Sequence, residues 1–329
     1  MTRRVWPWLR ALAGAAILAV LMWRLGTDAF VEGVRLVTVE SALAALGLGL
    51  LTTVLSAGRW RLVACRLGLR LPMATAVADY YRSLFLNVVL PAGVLGDAHR
   101  AVSHGQRSGD LGRGVRAVVL ERVGGQAVLA VAGVLVLLAS PSLSPVAGAY
   151  LAPGAGVAGV ALLGCAAVAG IVAWARWGTG SRVHRALATA LTDARRGLLA
   201  RDTWPGVLVL SAGAAAGHVA LFLVAARTAG SSAPVAELAP LMVLALLVMT
   251  LPVSVGGWGP REAFLALAFG AAGLGATQGL TVAVVCGVLT FVSCLPGAGV
   301  LLCRATGPRS APSGAGEGFP NEARSESVR

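Results

Sequence analysis

Long apolar runs, separated by short stretches that carry arginines, dominate the pattern of this chain. A helix needs about 20 mostly apolar residues to cross the hydrocarbon core of a bilayer. Six stretches are long enough, or nearly so, to be predicted as full spans: residues 5–23, 42–57, 117–139, 157–175, 204–226 and 279–302. The pattern therefore predicts an all-α polytopic membrane protein. Its membrane domain covers residues 1–303, and residues 304–329, rich in Gly, Ser, Pro and Glu, are expected to be a disordered cytoplasmic tail.

Two further apolar stretches, residues 72–94 and 238–255, each run into a proline and several glycines, and the two breaks resemble each other. Residues 90–100 read LPAGVLGDAHR and residues 251–261 read LPVSVGGWGPR, so they share a leading Leu-Pro, a Val, a Gly and a closing Arg. Paired Gly- and Pro-interrupted segments in two halves of a membrane protein indicate a transporter binding site. Three predicted spans separate them. We therefore expect two re-entrant helical segments that enter from opposite sides, as an inverted repeat.

The charges support this layout. Charged residues make up only 12% of the chain, and all 27 basic residues are arginines. If both interrupted segments are re-entrant, 21 of the 27 arginines, among them Arg59 and Arg100, fall in loops on the side of the N terminus. The positive-inside rule makes that side cytoplasmic, so the basic excess indicates no nucleic-acid partner. Without lysine there can be no ATP-binding P-loop, and the cysteines lack metal-ligand spacing. No cofactor, metal or catalytic residue is predicted.

Several ionisable residues fall within the predicted membrane region, where each costs about 2.5–3.5 kcal/mol to insert and therefore indicates function. Asp79 and Arg82 are three residues apart, which places them on one helix face where they can pair. Glu121 and Arg122 lie near the start of the third span. Glu121 either serves the site or extends to the membrane interface. The polar residue Asn87 precedes the first break by one turn.

The second break has the composition of an anion site. Glycines allow close backbone approach, Pro260 suits the first turn of a helix, and Arg261 with Glu262 follows at once. Free N–H groups at a helix start, together with an arginine fork, bind phosphate well. The alternative is that Arg261 and Glu262 pair with other buried charges and hold the segment closed. The first break repeats the pattern more weakly, because Asp97 adds a negative charge beside Arg100.

These motif residues resemble one family. The first block consists of Asn87, Leu90, Pro91, Gly93, Gly96, Asp97 and Arg100, followed by Glu121 and Arg122. The second block consists of Leu251, Pro252, Ser254, Gly256, Gly257, Gly259, Arg261 and Glu262. Both resemble the lysylphosphatidylglycerol synthase transmembrane, or flippase-like, family. The chain departs from the family pattern at Asp97, where Glu is common, and at Trp258 and Pro260. It looks like a stand-alone member, since only a short polar stretch stands where two-part members carry a soluble aminoacyltransferase domain.

The resemblance implies lipid translocation, or the handling of a lipid-linked substrate, in the bacterial cytoplasmic membrane. The substrate would be an anionic phospholipid or a polyprenyl phosphate. Membrane lipids are the expected partners, with a separate lipid- or glycan-synthesising enzyme as a further one. Phosphate binding is expected from Arg261, Gly256, Gly257, Gly259, Arg100, Gly93, Gly96 and Arg122. Charge balance or headgroup contact is expected from Glu262, Glu121, Asp97, Asp79, Arg82 and Asn87. The alternatives are an intramembrane lipid-modifying transferase and a non-transporting subunit of a lipid or polysaccharide synthesis complex.

Overall fold

The computed structural model describes residues 28–90, 95–139, 182–250 and 258–306, and these ranges fold mainly into α-helices. The helices, in chain order, are α1 (Asp28–Arg35), α2 (Val39–Arg66), α3 (Met73–Val89), α4 (Leu95–Arg107), α5 (Leu111–Ala139), α6 (Arg182–Gly197), α7 (Trp204–Thr228), α8 (Val235–Val248), α9 (Pro260–Ala271), α10 (Ala276–Cys294) and α11 (Pro296–Thr306).

Four helical stretches among the described residues are long and apolar enough to cross a membrane. They are Val39–Arg66, Leu111–Ala139, Trp204–Thr228 and Ala276–Cys303, the last of which comprises α10 and most of α11. They confirm the four predicted spans that fall within the described ranges. The predicted spans at 5–23 and 157–175 lie outside the described residues, as does the tail from residue 307 onward. Helix α5 exposes Val131, Val134, Leu135 and Leu138 on its outer face, as expected of a helix in contact with lipid.

The order of the helices repeats along the chain. A spanning helix, two short helices and a second spanning helix follow one another as α2, α3, α4 and α5, and again as α7, α8, α9 and α10. The repeated eleven-residue motif falls at the junction of each short pair, although residues 91–94 and 251–257 lie outside the described ranges. The sequence repeat thus corresponds to a repeat in the order of the helices.

Helices α3 and α4 form an antiparallel hairpin. Near its tip, the backbone N–H of Gly96 donates a 2.8 Å hydrogen bond to Oδ1 of Asn87. At its base, Arg107 at the end of α4 pairs with Asp79 near the start of α3. Gly96 permits this close packing, because a Cβ atom at this position would collide with the carbonyl oxygen of Ser83. We call this pair of helices the first hairpin.

The second pair of short helices lies in a mostly apolar core. Helices α7, α8, α9 and α10 contribute Phe222, Leu241, Phe264 and Leu289 to one buried cluster. Helix α9 packs so closely on α10 that a Cβ atom at Gly279 would collide with the carbonyl oxygen of Leu265. We call α8 and α9 the second hairpin. A smaller cluster around Trp60 joins α2, the first hairpin, α5 and α7.

The expectation that Arg59 and Arg100 lie in cytoplasmic loops is wrong. Helix α2 continues to Arg66, well beyond the predicted end at residue 57, and Arg59 is buried within it. Arg100 is buried within α4. Both side chains reach the buried carboxylate of Glu121, which offsets the cost of removing their charges from water.

The basic stretch that precedes α7 is helical where it is described. Helix α6, Arg182–Gly197, covers most of it. Asp193 of α6 accepts a 2.6 Å ion-paired hydrogen bond from Arg116 of α5. This contact anchors α6 to a spanning helix near the base of the first hairpin.

Candidate functional site

A buried carboxylate, Glu121, lies between three helices. It is on α5 and is fully buried. Its Oε1 accepts hydrogen bonds from Arg59 at 3.0 and 2.5 Å and from the hydroxyl of Tyr80 at 3.3 Å. Its Oε2 accepts a 3.0 Å bond from Arg100. Glu121 therefore holds α2, α3 and α4 against α5, and the alternative in which it extends to the interface is wrong.

A second carboxylate, Asp97, lies closer to the tip of the first hairpin than Glu121 does. It accepts 3.0 Å hydrogen bonds from Ser83, Asn87 and Arg100, and it also pairs with Arg122. Two guanidinium groups, those of Arg100 and Arg122, thus balance the negative charge of Asp97.

We call Arg59, Arg100, Arg122, Glu121 and Asp97 the arginine cluster. It contains three guanidinium groups and two carboxylates, so it carries one more positive than negative charge. The guanidinium of Arg100 is 0% exposed and stacks 4.6 Å from the ring centre of Trp60 and 4.3 Å from that of Tyr80. Among the described residues, its Nε and Nη1 have no hydrogen-bond partner.

A cavity of about 230 Å³ adjoins this cluster. Its walls come from α2, α3, α5, α7 and α8, and are formed by Thr52, Thr53, Ser56, Arg59, Tyr80, Leu84, Arg122, Gly125, Gln126, Leu129, Ser211, Ala214, Ala215, His218, Leu246, Met249 and Thr250. Although Arg122 is in the interior of the bundle, its side chain is 39% exposed because it lines this space. The cavity therefore combines an accessible guanidinium with hydroxyl and amide groups, which is the chemistry of an anion site.

The second hairpin has a smaller and more local charge pair. Arg261 donates from Nε to Oε1 of Glu262 at 2.9 Å, and a second bond from Nη2 reaches the same oxygen. The other oxygen of Glu262 accepts a 2.6 Å bond from the N–H of Gly259, whose φ of 113° favours glycine. Arg261 is 2% exposed and stacks on Trp258, with its guanidinium 5.1 Å from the ring centre. It does not line the central cavity.

The full length of the membrane region matches one protein family. Residues 8–297 match the family model described as "Lysylphosphatidylglycerol synthase TM region". The chain belongs to this family. Comparisons with curated proteins and with solved structures found no match. Membership, together with the four apolar spanning helices, identifies a multi-pass membrane protein linked to lipid handling.

The site residues that the sequence predicts lie in three groups. The structure brings Asn87, Gly96, Asp97, Arg100, Glu121 and Arg122 together at the arginine cluster. Gly259, Arg261 and Glu262 form the local pair of the second hairpin. Asp79 and Arg82 make the predicted ion pair at 3.3 Å, to which Arg107 adds a second cation. Gly93, Gly256 and Gly257 lie outside the described residues. A phosphate-binding role for any of these predicted site residues stays a prediction.

The sequence did not predict that Arg59, Ser211 and Gln126 line the cavity. A signal for Arg59 is visible in α2, where Thr52, Ser56 and Arg59 are spaced four and three residues apart and share one helix face. His218 also lines the cavity, and its Nδ1 donates a 2.6 Å hydrogen bond to the carbonyl oxygen of Ala214 on the same helix.

Proposed function

We propose that the protein translocates an anionic lipid across the bacterial cytoplasmic membrane and binds the phosphoryl part of its headgroup in the central cavity. The observation that carries this proposal is the accessible guanidinium of Arg122 on the wall of a cavity between five helices, three of which are long and apolar enough to span the membrane. A positive group at this depth is costly unless it meets an anion. Asp97 pairs with one end of Arg122, and a lipid phosphate would pair with the part that faces the cavity.

The excess charge of the arginine cluster supports an anionic substrate. Three guanidinium groups share two carboxylates, which leaves one positive charge uncompensated among the described residues. A phosphate diester carries one negative charge, so it would neutralise the cluster. The low effective dielectric of the protein interior strengthens this attraction.

The size of the cavity supports a headgroup rather than a whole lipid. Its volume of about 230 Å³ lies below the roughly 300–1,000 Å³ that encloses drug-sized ligands. The acyl or polyprenyl chains would remain in the bilayer between helices. Phosphatidylglycerol-type lipids and polyprenyl phosphates share the phosphoryl group on which this proposal rests.

The proposed topology places both hairpins as re-entrant segments that enter from opposite sides. Asp97 and Arg100 follow the first break directly, and Met249 and Thr250, which line the cavity, directly precede the second. Irregular backbone is tolerated at membrane depth where it lines a cavity. In a variant without native cysteines, we expect Ser231→Cys to react with an impermeant probe from outside intact cells. Ser108→Cys should react only after permeabilisation. Labelling of both from the same side would contradict this topology.

A liposome assay tests translocation directly. Purified protein is reconstituted with a fluorescent phosphatidylglycerol, and movement between leaflets is followed by chemical quenching of the outer leaflet. We expect the wild type to equilibrate the probe and Arg122→Gln to slow it by about tenfold or more, since one hydrogen bond to a charged group contributes about 1.5–3 kcal/mol. The matched control is Arg113→Gln on the same helix, where the side chain is 45% exposed and pairs with Asp110 at the surface.

The other functions give different results in the same vesicles. Chemical change of the probe, seen by mass spectrometry, would indicate a transferase. Absence of both movement and chemistry in folded wild-type protein would refute translocation and favour a non-transporting subunit. The geometry favours translocation over acid–base catalysis, because Glu121 is held between two guanidinium groups and is poorly placed to accept a proton. Competition by a polyprenyl phosphate distinguishes the two lipid classes.

A further inference from the structure

We propose a second phosphoryl-binding site, separate from the central cavity, in the pocket at the base of the first hairpin. This pocket has a volume of about 520 Å³ and lies where α3 begins and α4 ends. We call it the hairpin-base pocket. Its polar wall consists of Arg70, Thr75, His104, Arg107 and Ser108. It shares no lining residue with the central cavity.

The start of α3 supplies backbone donors to this pocket. Pro72 precedes the helix and makes no side-chain capping bond, so the N–H groups of the first turn have no partner from a cap. The first helical hydrogen bond runs from Ala76 to the carbonyl of Pro72. Pro72 and Thr75 both line the pocket. Free N–H groups and the positive end of the helix dipole together attract an anion.

Two arginines supply positive charge. Arg107 is held in place by its pair with buried Asp79 and by a 3.1 Å bond from its Nε to the carbonyl of Ser103. Arg70 is exposed and makes no ion pair within the described part of the chain. Asp79, the carboxylate that pairs with Arg107, is shared with Arg82. The lining itself contains two arginines and no carboxylate, so it carries net positive charge.

A buried histidine provides an independent indication of a ligand. His104 lines the pocket yet is only 2% exposed, and its Nε2 has no hydrogen-bond partner among the described residues. Its ring is fixed edge-on against Trp60, with the ring centres 5.2 Å apart. A buried polar nitrogen without a partner is unfavourable, so a group that bonds to it is expected. In the neutral tautomer with the proton on Nε2, His104 would donate to a phosphoryl oxygen.

A neighbouring groove gives room for the rest of a headgroup. Arg82, Ser103, Gln106 and Arg107 line a further space of about 380 Å³. Arg107 lines both this groove and the hairpin-base pocket. A phosphoryl group bound in the pocket could therefore extend a polar substituent past Arg107 into the groove. A phospholipid headgroup and a soluble phosphate ester both have this chemistry.

Equilibrium binding to the full-length protein in neutral detergent tests the site. The probes are inorganic phosphate and the water-soluble dihexanoyl phosphatidylglycerol, titrated calorimetrically. All measurements use an Arg122→Gln background, which weakens any binding in the central cavity. We expect Arg70→Gln and His104→Phe each to raise the Kd by about tenfold, the effect of losing one hydrogen bond to a charged group. His104→Phe keeps the ring contact with Trp60.

The matched control is Arg113→Gln, which removes one positive charge near the same end of the bundle, and Arg113 is not a lining residue of the pocket. Its Kd should stay within twofold of the background. Binding of both probes supports a site open to soluble phosphates, and binding of the lipid alone supports a headgroup site. Binding of neither probe, or equal weakening by Arg113→Gln and Arg70→Gln, would overturn the proposal. Because the readout is binding in the Arg122→Gln background, the outcome does not depend on whether the protein translocates lipid.

Discussion

Arg100 of the first hairpin and Arg261 of the second close the two copies of the repeated motif. Both are almost fully buried, both stack on aromatic rings, and both pair with a buried glutamate. They differ in the reach of that pairing. Arg261 pairs with its sequence neighbour Glu262, whereas Arg100 reaches Glu121 on the next spanning helix.

The pair of Arg261 with Glu262 is therefore complete in itself, whereas Arg100 belongs to a larger group of charges. The charge pair of the second hairpin consists of one cation and one anion, Arg261 and Glu262, and the remaining oxygen of Glu262 is used by the N–H of Gly259. The first hairpin joins a cluster with excess positive charge that borders a cavity. Two copies of one motif can thus serve different ends. We infer that the first copy meets the ligand and that the second holds α9 in place.

The largest expected effect comes from Glu121→Ala. It would leave Arg59 and Arg100 buried without their shared carboxylate, and we expect the free energy of unfolding to fall by about 3–5 kcal/mol, at the upper end of this range. Glu262→Ala leaves only the guanidinium of Arg261 without its carboxylate, and the loss of unfolding free energy should lie at the lower end of this range. Chemical denaturation in detergent measures both. Equal losses in the two variants would show that Glu121 stabilises the arginine cluster no more than Glu262 stabilises its single pair with Arg261.

The next effect concerns the base of the first hairpin. Asp79→Ala leaves Arg82 and Arg107 without their carboxylate, and we expect a loss of about 3 kcal/mol. The control is Asp110→Ala, which removes a surface pair with Arg113 and the 2.8 Å side-chain bond to the backbone N–H of Arg113 at the start of α5, and should cost only about 1 kcal/mol. The two variants are compared by folded yield and by thermal denaturation. If they were indistinguishable, Asp79 would not stabilise the hairpin.

The sequence predicted what depends on local pattern. Apolar runs predicted the four described spans, and the three-residue spacing predicted the pair of Asp79 with Arg82. It did not predict the pair of Arg59 with Glu121, which are 62 residues apart. An arginine just after an apolar run is typical of a cytoplasmic loop, and only tertiary contact shows that α2 continues past it. The hairpin-base pocket was missed for the same reason, since the turn of the hairpin brings Arg70 and His104 together.

A smaller effect tests the packing of the first hairpin. A methyl group at Gly96 would collide with the backbone of Ser83 and force the hairpin apart. We expect Gly96→Ala to cost about 1–3 kcal/mol, the range for overpacking. Gly47→Ala is the control, because a Cβ atom there meets nothing within 4 Å, and in a helix it should gain up to about 1 kcal/mol. A neutral Gly96→Ala variant in thermal denaturation would show that the hairpin opens easily at this contact.

The smallest expected effect is that of Arg261→Lys, and it bears most directly on the difference between the hairpins. Lysine keeps the charge, and a buried ammonium can still reach the single oxygen of Glu262 that Arg261 uses. The stacking on Trp258 weakens, so we expect stability to fall by only about 1 kcal/mol. Lipid translocation should remain near the wild-type rate.

Arg122→Lys should instead slow translocation by about tenfold, because a point charge replaces the fork that pairs with Asp97 and faces the cavity. Arg113→Lys at the surface controls for the substitution itself. If Arg261 binds a lipid phosphate with its fork, as the sequence predicts, then Arg261→Lys will lose translocation while remaining folded. That result would show that both copies of the motif meet the ligand.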